Sequence, residues 1–375
     1  MMAGTLRIAA IQMDAAPAPV ADRLARAATL ISDAAAAGAQ LAVLPEVFNT
    51  GYAYTDANYA LAEPITGQTA TWMKAQAAQH QVYVAGTLLL LDGSDIYNSL
   101  LLIAPDGQMW RYDKHYPWAW ERAYFRDGDG VTVADTPLGK LGLMICWDYA
   151  HTSLWEQYAG RVDAMVIASC PPAITQSEAL LPSRRTAPGN ASMPLYHGDD
   201  MPFGAELNAL GAWMGVPLVN TSGSGTFDTT IPAALFAGGM LANQPDALRD
   251  FLSAPEQTRL RSGYYPQTKI VAADGTTLRR ITEQGDQIIV ETVELPDTPP
   301  RPTVPPPSPA FTLLSYFLSD GYLPAVTIPV YRRNLRRVYG AHMAPVDPRT
   351  RIWMGVTVAA FVLGWLARGN SAKQR

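Results

Sequence analysis

Gly142-Leu-Met-Ile-Cys-Trp-Asp148 is the stretch around which the rest of the chain is arranged. Small and apolar residues lead to a cysteine, and an aromatic residue and a carboxylate follow at once. The pattern predicts a buried strand that ends at Cys146 and delivers the thiol to the rim of a sheet. A cysteine there can be a nucleophile if its pKa is lowered or a base takes its proton. The alternative is a small buried apolar residue, which is what most free cysteines are.

Length and composition bound the class of protein. The chain has 375 residues, of which 48% are apolar and 16% are charged. This suits either one large domain with an appendage or two ordinary domains, and it excludes general disorder. The net charge of −5 provides no basic footprint for nucleic acid.

Cysteine and histidine usage argues against disulfides and metals. The two cysteines, Cys146 and Cys170, do not make a disulfide framework. The amino terminus lacks the charged and apolar regions of a signal peptide, so we expect a cytoplasmic catalytic domain. No metal and no cofactor is expected, because the five histidines are not spaced as a ligand cluster: His80, His115, His151, His197 and His342.

Strand-length apolar runs alternate with helical patterns through about residue 294. Helices are predicted at 20–37 and 69–80. Late strands are predicted at 268–272 and 287–293, with the turn Asp274-Gly275 between them. The alternation predicts a layered α/β domain. The other predicted strands are 6–13, 40–44, 82–90, 97–104, 108–112, 131–135, 142–146, 164–168 and 216–220.

Three charged residues stand beside apolar or aromatic neighbours. Glu46 follows a strand and precedes Val47 and Phe48, so its pKa is expected to be raised and it could act as a general base. Lys114 lies among aromatic residues and could donate hydrogen bonds to an oxyanion. Glu121 begins a short turn. The alternatives are an exposed glutamate at a strand end and a lysine that extends its amine to water.

Together these motifs resemble the nitrilase (carbon–nitrogen hydrolase) superfamily. The resemblance rests on Leu44-Pro-Glu46, Lys114, Glu121 with Tyr124-Phe125 and Gly128-Asp129, and Ile145-Cys-Trp-Asp148, in this order. The opening 8–14 and the late 266–275 are also similar to the family, so the resemblance covers about residues 5–295. It implies an α/β fold, the four-layer αββα sandwich of the nitrilase type. It also implies a homodimer or a larger homo-oligomer.

The resemblance also implies roles for individual residues. Cys146 would be the nucleophile, Glu46 the general base, and Lys114 the oxyanion donor together with the backbone N–H of Trp147. Glu121 would orient Lys114 or the substrate. Further candidates for oxyanion or substrate binding are Tyr52 and His115. The implied reaction is hydrolysis of a small amide or nitrile through a cysteine thioester. A membrane-associated N-acyltransferase and an inactive scaffold are the alternatives.

Several positions depart from the family pattern and leave the substrate open. Asp148 stands where true nitrilases have glutamate, and no proline follows within 147–156. The segment 203–208 keeps a glutamate and an asparagine but lacks the arginine of the family helix. The segment 175–201 has no clear period and is predicted to be a loop over the pocket.

The sequence divides into a hydrolase domain at 1–295, a proline-rich linker at 296–309 and an extension at 310–375. Gly321, Pro324 and Pro329 are expected to split the start of the extension into short packing segments.

An uncharged stretch, 352–367, follows later in the extension. At ~1.5 Å per residue it reaches roughly 24 Å, slightly less than a bilayer core of about 30 Å. We expect it to anchor the domain to the cytoplasmic face of a membrane. The alternative is a buried helix in a dimer interface.

Overall fold

The computed structural model describes residues 4–189, 195–196, 201–230, 240–241 and 244–343. Its strands are β1 Thr5–Asp14, β2 Leu41–Val43, β3 Tyr83–Asp92, β4 Asp95–Ile103, β5 Met109–Asp113, β6 Thr132–Thr136, β7 Gly139–Ile145, β8 Ala164–Ala168, β9 Glu178–Leu180, β10 Thr186–Pro188, β11 Leu218–Thr221, β12 Gly223–Ser224, β13 Phe227–Thr230, β14 Arg259–Ser262, β15 Lys269–Val271, β16 Thr277–Arg280 and β17 Gln287–Glu294. Its helices are α1 Val20–Ala36, α2 Ala57–Leu61, α3 Gln68–His80, α4 Thr152–Tyr158, α5 Ala205–Met214, α6 Pro245–Ser253, α7 Leu313–Tyr316 and α8 Leu323–Tyr339.

Two mixed sheets face each other across the central core. The first has the order β12-β1-β2-β3-β4-β5, with β17 also paired to β1, and the second has the order β16-β15-β11-β8-β7-β6. Successive side chains of a strand point to opposite sides, and β1 carries apolar residues on both of its faces. Leu6 and Ile8 enter the core shared with the second sheet, whereas Ala9 and Ile11 enter the core beneath the helices.

Helices cover the outer face of each sheet. Leu24 and Ile31 of α1 and Met73 of α3 pack on the first sheet. Trp155 of α4 and Leu210 of α5 pack on the second. The layers therefore follow the order helix, sheet, sheet, helix, and the predicted αββα sandwich is confirmed.

A third, four-stranded antiparallel sheet with the order β10-β9-β14-β13 lies outside this sandwich. It uses residues 178–180 and 186–188, which the sequence predicted to be loop, so the loop prediction is wrong for these six residues. The strands β9 and β10 are three residues long. A strand this short carries too little alternation to be recognised, and its pairing with β14 comes from distant sequence.

The late strands also pair differently from the expectation. Asp274-Gly275 turns β15 into β16, a strand that the sequence did not indicate. Strand β17 does not join that hairpin but runs antiparallel to β1 along eight residue pairs. The long-range partner decided the sheet to which β17 belongs, since alternation within a strand does not encode its neighbour.

The proline-rich stretch 296–309 contains no helix or strand and lies against the domain. Pro300 packs on Gly215, and Trp213 donates from Nε1 to the Val304 carbonyl at 2.8 Å.

The helices α7 and α8 are joined by a π-helical turn, Phe317–Tyr322, so the expected separation into short segments is wrong. Pro324 lies in the first turn of α8, where its missing N–H costs nothing, and Pro329 lies inside the helix. Burial of one face of α8, which includes Tyr331 and Leu335, offsets the cost of that proline. Residues 352–367 lie outside the described residues. Within the described ranges, no helix combines the length and apolarity needed to cross a membrane.

Candidate active site

Cys146 lies at the carboxyl end of β7, where a 3-10 turn, Cys146–Ala150, begins. Its φ angle is 46°, in the left-handed region that a residue with a side chain adopts at a cost of about 1–3 kcal/mol. The side chain is buried, with 5% exposed. The first amides of a helical turn have no acceptor within the turn, which makes the N–H of Trp147 a candidate donor to a substrate oxygen.

Glu46 follows β2 and is buried beside Cys146. Its backbone N–H donates to the Ser169 carbonyl at 3.3 Å, which ties the end of β2 to the end of β8 in the other sheet. Its Oε1 accepts from Lys114 Nζ and from Asn98 Nδ2, both at 2.8 Å. Its Oε2 has no hydrogen-bond partner among the described residues, although the atom is buried. A buried carboxylate oxygen without a donor is available to accept a proton.

Burial raises the pKa of Glu46 to about 7, with Lys114 opposing the shift and Glu121 adding to it. Burial also raises the pKa of the Cys146 thiol, and the neighbouring Glu46 carboxylate raises it further. The resting cysteine is therefore a thiol and not a thiolate. Such a group needs a base at the moment of reaction.

Lys114 follows β5 and is fully buried between two carboxylates. Its Nζ donates to Glu46 Oε1 at 2.8 Å and to Glu121 Oε2 at 2.7 Å. Burial by itself lowers the pKa of Lys114, but Glu121 and Glu46 outweigh that effect and raise it above its usual value. An ammonium has three donors, so one remains for a substrate oxygen.

Glu121 accepts hydrogen bonds from four described donors, of which Lys114 is one. Its Oε2 also accepts from the Trp118 N–H at 2.7 Å, and its Oε1 accepts from Tyr52 at 2.8 Å and from Tyr54. A carboxylate saturated in this way cannot move toward a reacting atom. It fixes the position of Lys114 instead.

In the sequence, Asp148 was noted only as a departure from the family pattern. In the structure it joins the loop after β5, which carries Lys114, to the turn Cys146–Ala150, called the nucleophile turn below. The carboxylate is fully buried and accepts from Tyr112 at 2.8 Å, from the Tyr116 N–H at 2.7 Å and from the Ile145 N–H at 3.3 Å. These bonds fix the distance between Lys114 and Cys146.

We therefore expect Asp148→Ala to lower the free energy of unfolding by about 2 kcal/mol, because buried donors lose their acceptor. Its kcat should fall more than its KM rises, since Lys114 and Cys146 lose their alignment. Urea unfolding and steady-state kinetics measure both quantities. The matched control is exposed Asp129→Ala, which should change stability by less than about 0.5 kcal/mol. Equal effects of the two substitutions would contradict the role of Asp148 in aligning Lys114 with Cys146.

The three remaining candidates occupy different positions around the thiol. The Trp147 ring packs on Phe311 with centroids 4.5 Å apart, and its Nε1 donates to Asp320 at 3.2 Å. The Tyr52 hydroxyl donates to Glu121 and thus contributes to positioning. The His115 ring is 4.5 Å from that of Tyr116 by centroids, and its Nδ1 has no partner among the described residues.

Two residues that contact the candidate active site were not identified from the sequence motifs. Asn98, which supports Glu46, is a polar residue within the largely apolar strand β4, and that interruption was the available signal. Asp320 lies 174 positions after Cys146 and reaches the site only through the helical extension. Within the described residues, no group of three histidine, cysteine, aspartate or glutamate side chains is arranged to hold a metal.

Comparison with known proteins identifies relatives of this chain. The sequence profile of the family described as carbon–nitrogen hydrolase matches residues 7–191. A nitrilase from Pyrococcus abyssi is 33% identical over 148 residues, which are 38% of this chain and 56% of the relative. An omega-amidase from Mus musculus is 31% identical over 169 residues, which are 42% of this chain and 60% of the relative. The matches thus span little more than half the length of these two relatives.

Solved structures extend the similarity across most of the fold. The NitN amidase from Nesterenkonia sp. AN1 aligns with a TM-score of 0.56 at 18% identity and covers 78% of this chain and 93% of its own. A carbon–nitrogen hydrolase superfamily protein from Xanthomonas campestris aligns with a TM-score of 0.55 at 16% identity, over 77% of this chain and 91% of its own. These alignments show the shared fold, and the family profile and the sequence matches confirm the predicted family: the chain belongs to the nitrilase (carbon–nitrogen hydrolase) superfamily.

Proposed function

We propose that this protein hydrolyses a non-peptide C–N bond, in a small amide or nitrile, through a thioester or thioimidate on Cys146. One observation carries the proposal. A buried thiol lies beside the unpartnered Oε2 of Glu46, and a lysine with one uncommitted donor is hydrogen-bonded to the other oxygen of the same carboxylate. Base, nucleophile and oxyanion donor thus share one water-poor site.

The first step of the proposed reaction adds the thiol to an amide carbonyl. Glu46 accepts the thiol proton as sulfur bonds to the carbonyl carbon, and the C=O electron pair moves to oxygen. The free donor of Lys114 and the N–H of Trp147 stabilise that oxyanion. Collapse of the intermediate breaks the C–N bond, and Glu46 returns its proton to the departing nitrogen, which leaves a thioester on Cys146.

The second step releases the acid. Glu46, again a carboxylate, takes a proton from a water molecule that attacks the thioester carbon, and the proton passes to sulfur as the C–S bond breaks. Glu121 keeps Lys114 in place through both steps. With a nitrile, the same addition gives a thioimidate, and hydrolysis releases ammonia.

Intact-mass spectrometry and ammonia release test the proposal. Purified protein is incubated with a panel of amides and nitriles, and with hydroxylamine in a parallel reaction that competes with water. We expect ammonia together with an adduct on Cys146, or a hydroxamate where hydroxylamine captures the acyl group. Product formed only when an amine acceptor is present would favour an acyltransferase. Neither ammonia nor an adduct with any member of the panel would overturn the proposal.

The raised pKa of Glu46 predicts the pH dependence. The base must be ionised to accept the thiol proton, so kcat/KM should rise with pH and level off above about 7. Below that value, protonation of Glu46 should lower kcat/KM by about tenfold per pH unit. Glu46→Gln should lose both the rate and this acid limb. A wild-type profile that stays flat down to pH 5 would contradict the assignment of Glu46 as the base.

Assembly and localisation stay predictions. A homodimer or larger homo-oligomer fits the family, and attachment to the cytoplasmic face of a membrane would require residues 352–367, which lie outside the described residues. The hydrolase domain at 1–295 is also a proposal, and the matched family segment lies within it.

A further inference from the structure

We propose that the segment Phe311–Leu323, which follows the proline-rich linker, forms one wall of the substrate pocket and restricts the enzyme to amides or nitriles with an uncharged, apolar acyl group. This inference rests on the proposed hydrolysis and specifies its substrate class. It is carried by a cavity beside the nucleophile turn and by the contacts that hold the segment against that turn.

A partly open cavity with a volume of about 40 Å³ lies between the segment Phe311–Leu323 and the loops that carry Trp118 and Trp147. The catalytic side is formed by Trp118, Ala119, Trp120 and Trp147. The other wall includes Phe311, Leu318 and Leu323. Its described lining contains no lysine, arginine, histidine or carboxylate. A site with this lining stabilises an apolar group by removing it from water and leaves a charged group without a partner.

We assign the cavity to the acyl group because the proposed reaction gives the catalytic residues to the other two substituents of the carbonyl carbon. The carbonyl oxygen would face Lys114 and the Trp147 N–H, and the leaving nitrogen would face Glu46. The third substituent is the acyl chain. Trp147, the residue after Cys146, lines the cavity, so an acyl chain on Cys146 that extends past Trp147 would enter it.

Polar contacts hold the segment to the nucleophile turn and to the loop that carries Ala119 and Arg122. Asp320 accepts from Trp147 Nε1 at 3.2 Å and contacts His151 Nε2 at 3.1 Å, next to the nucleophile turn. On the other loop, the Ala119 N–H donates to Ser319 Oγ at 2.8 Å, and Arg122 Nη1 donates to the Ser319 carbonyl at 2.9 Å. A wall anchored on both sides is pre-organised, so it can discriminate between acyl groups by size.

The segment also contacts the turn through its aromatic residues. Tyr316 donates from its hydroxyl to the Ala150 carbonyl at 2.7 Å, and its ring centroid lies 5.7 Å from that of Trp147. Phe311 packs edge-on against the same indole. The extension is thus part of the site and not an appendage to it.

The first experiment measures kcat/KM over a series of primary amides from acetamide to hexanamide, with benzamide and succinamic acid added. We expect kcat/KM to rise by about fourfold per added methylene, until the cavity is full. Succinamic acid, whose second end is a carboxylate, should react more slowly than butyramide. Equal rates across the series, or a preference for the charged amide, would overturn the inference while leaving the hydrolase proposal intact. Absence of turnover with every amide and nitrile would instead count against the hydrolase proposal.

The second experiment fills the cavity from the segment. In Leu318→Trp, the larger side chain should lower kcat/KM for hexanamide at least about tenfold more than for acetamide. The control is Leu313→Trp in the same segment, where 86% of the leucine side chain is exposed and the residue does not line the cavity. Its ratio between the two amides should stay that of the wild type. An unchanged ratio in folded Leu318→Trp, checked by circular dichroism, would overturn the inference.

Discussion

Cys146→Ala is expected to lower kcat/KM by at least about 10⁴-fold and to leave the fold intact. No other described nucleophile lies beside the unpartnered oxygen of Glu46, so the covalent step is lost entirely. The fold should tolerate the change because alanine fits the same buried position and the side chain supplies only a thiol. Ammonia release measures the first effect, and near-ultraviolet circular dichroism together with urea unfolding measures the second.

The second cysteine provides a matched control for this substitution. Cys170 follows β8, is fully buried, and its pKa is raised by burial as that of Cys146 is. The backbone N–H of Cys170 lowers the pKa of the Cys146 thiol, which opposes the effect of burial, and this influence does not depend on the side chain of residue 170. Cys170→Ala should therefore keep activity within a few-fold of the wild type. Loss of activity in Cys170→Ala with retention in Cys146→Ala would exchange the roles of the two thiols.

Lys114→Met should lower the free energy of unfolding by about 3–5 kcal/mol, because it leaves Glu46 and Glu121 buried without their cation. It should also lower kcat by about 10²–10³-fold, since the oxyanion loses a donor. The stability loss should be smaller at pH 5 than at pH 8. At the lower pH Glu46, whose pKa is about 7, binds a proton, so the two carboxyl groups are no longer a pair of adjacent buried charges.

Urea unfolding at the two pH values and steady-state kinetics check this prediction. The control is Lys74→Met on the exposed face of α3, which should change stability by less than about 0.5 kcal/mol at either pH. A Lys114→Met variant as stable as the wild type at pH 8 would mean that the two carboxylates are not held as charged groups around the lysine.

The local hydrophobic pattern was sufficient to predict the long strands and helices of the sandwich. Strand β8 was predicted within its observed bounds, and β1, α1 and α3 were predicted to within one residue at each end. Each of them carries several apolar residues at its own period, so the signal repeats within the element. Strand β16 and the three-residue strands β9 and β10 carry no such repeat. Their pairing was decided by partners far along the chain.

Tertiary packing decided that the segment after the proline-rich linker is helical. Pro329 and the turn at Gly321 argue against a helix when only local preference is considered. In the structure the Tyr331 hydroxyl donates to Asp95 at 2.9 Å and accepts from the Ile96 N–H at 2.8 Å. These bonds and the apolar face of α8 tie the helix to the start of β4.

The candidate catalytic residues could be recognised in the amino-acid sequence. Each of Glu46, Lys114 and Cys146 lies within three residues of the end of a strand, where a charged or nucleophilic residue interrupts the apolar pattern. Their arrangement and their surroundings became apparent only in the folded chain. Asp148 joins two loops, Asn98 supports the base, and Asp320 brings the extension to the nucleophile turn. Burial and hydrogen bonding depend on distance in space. Because these partners are far apart along the chain, local sequence patterns do not show which of them meet.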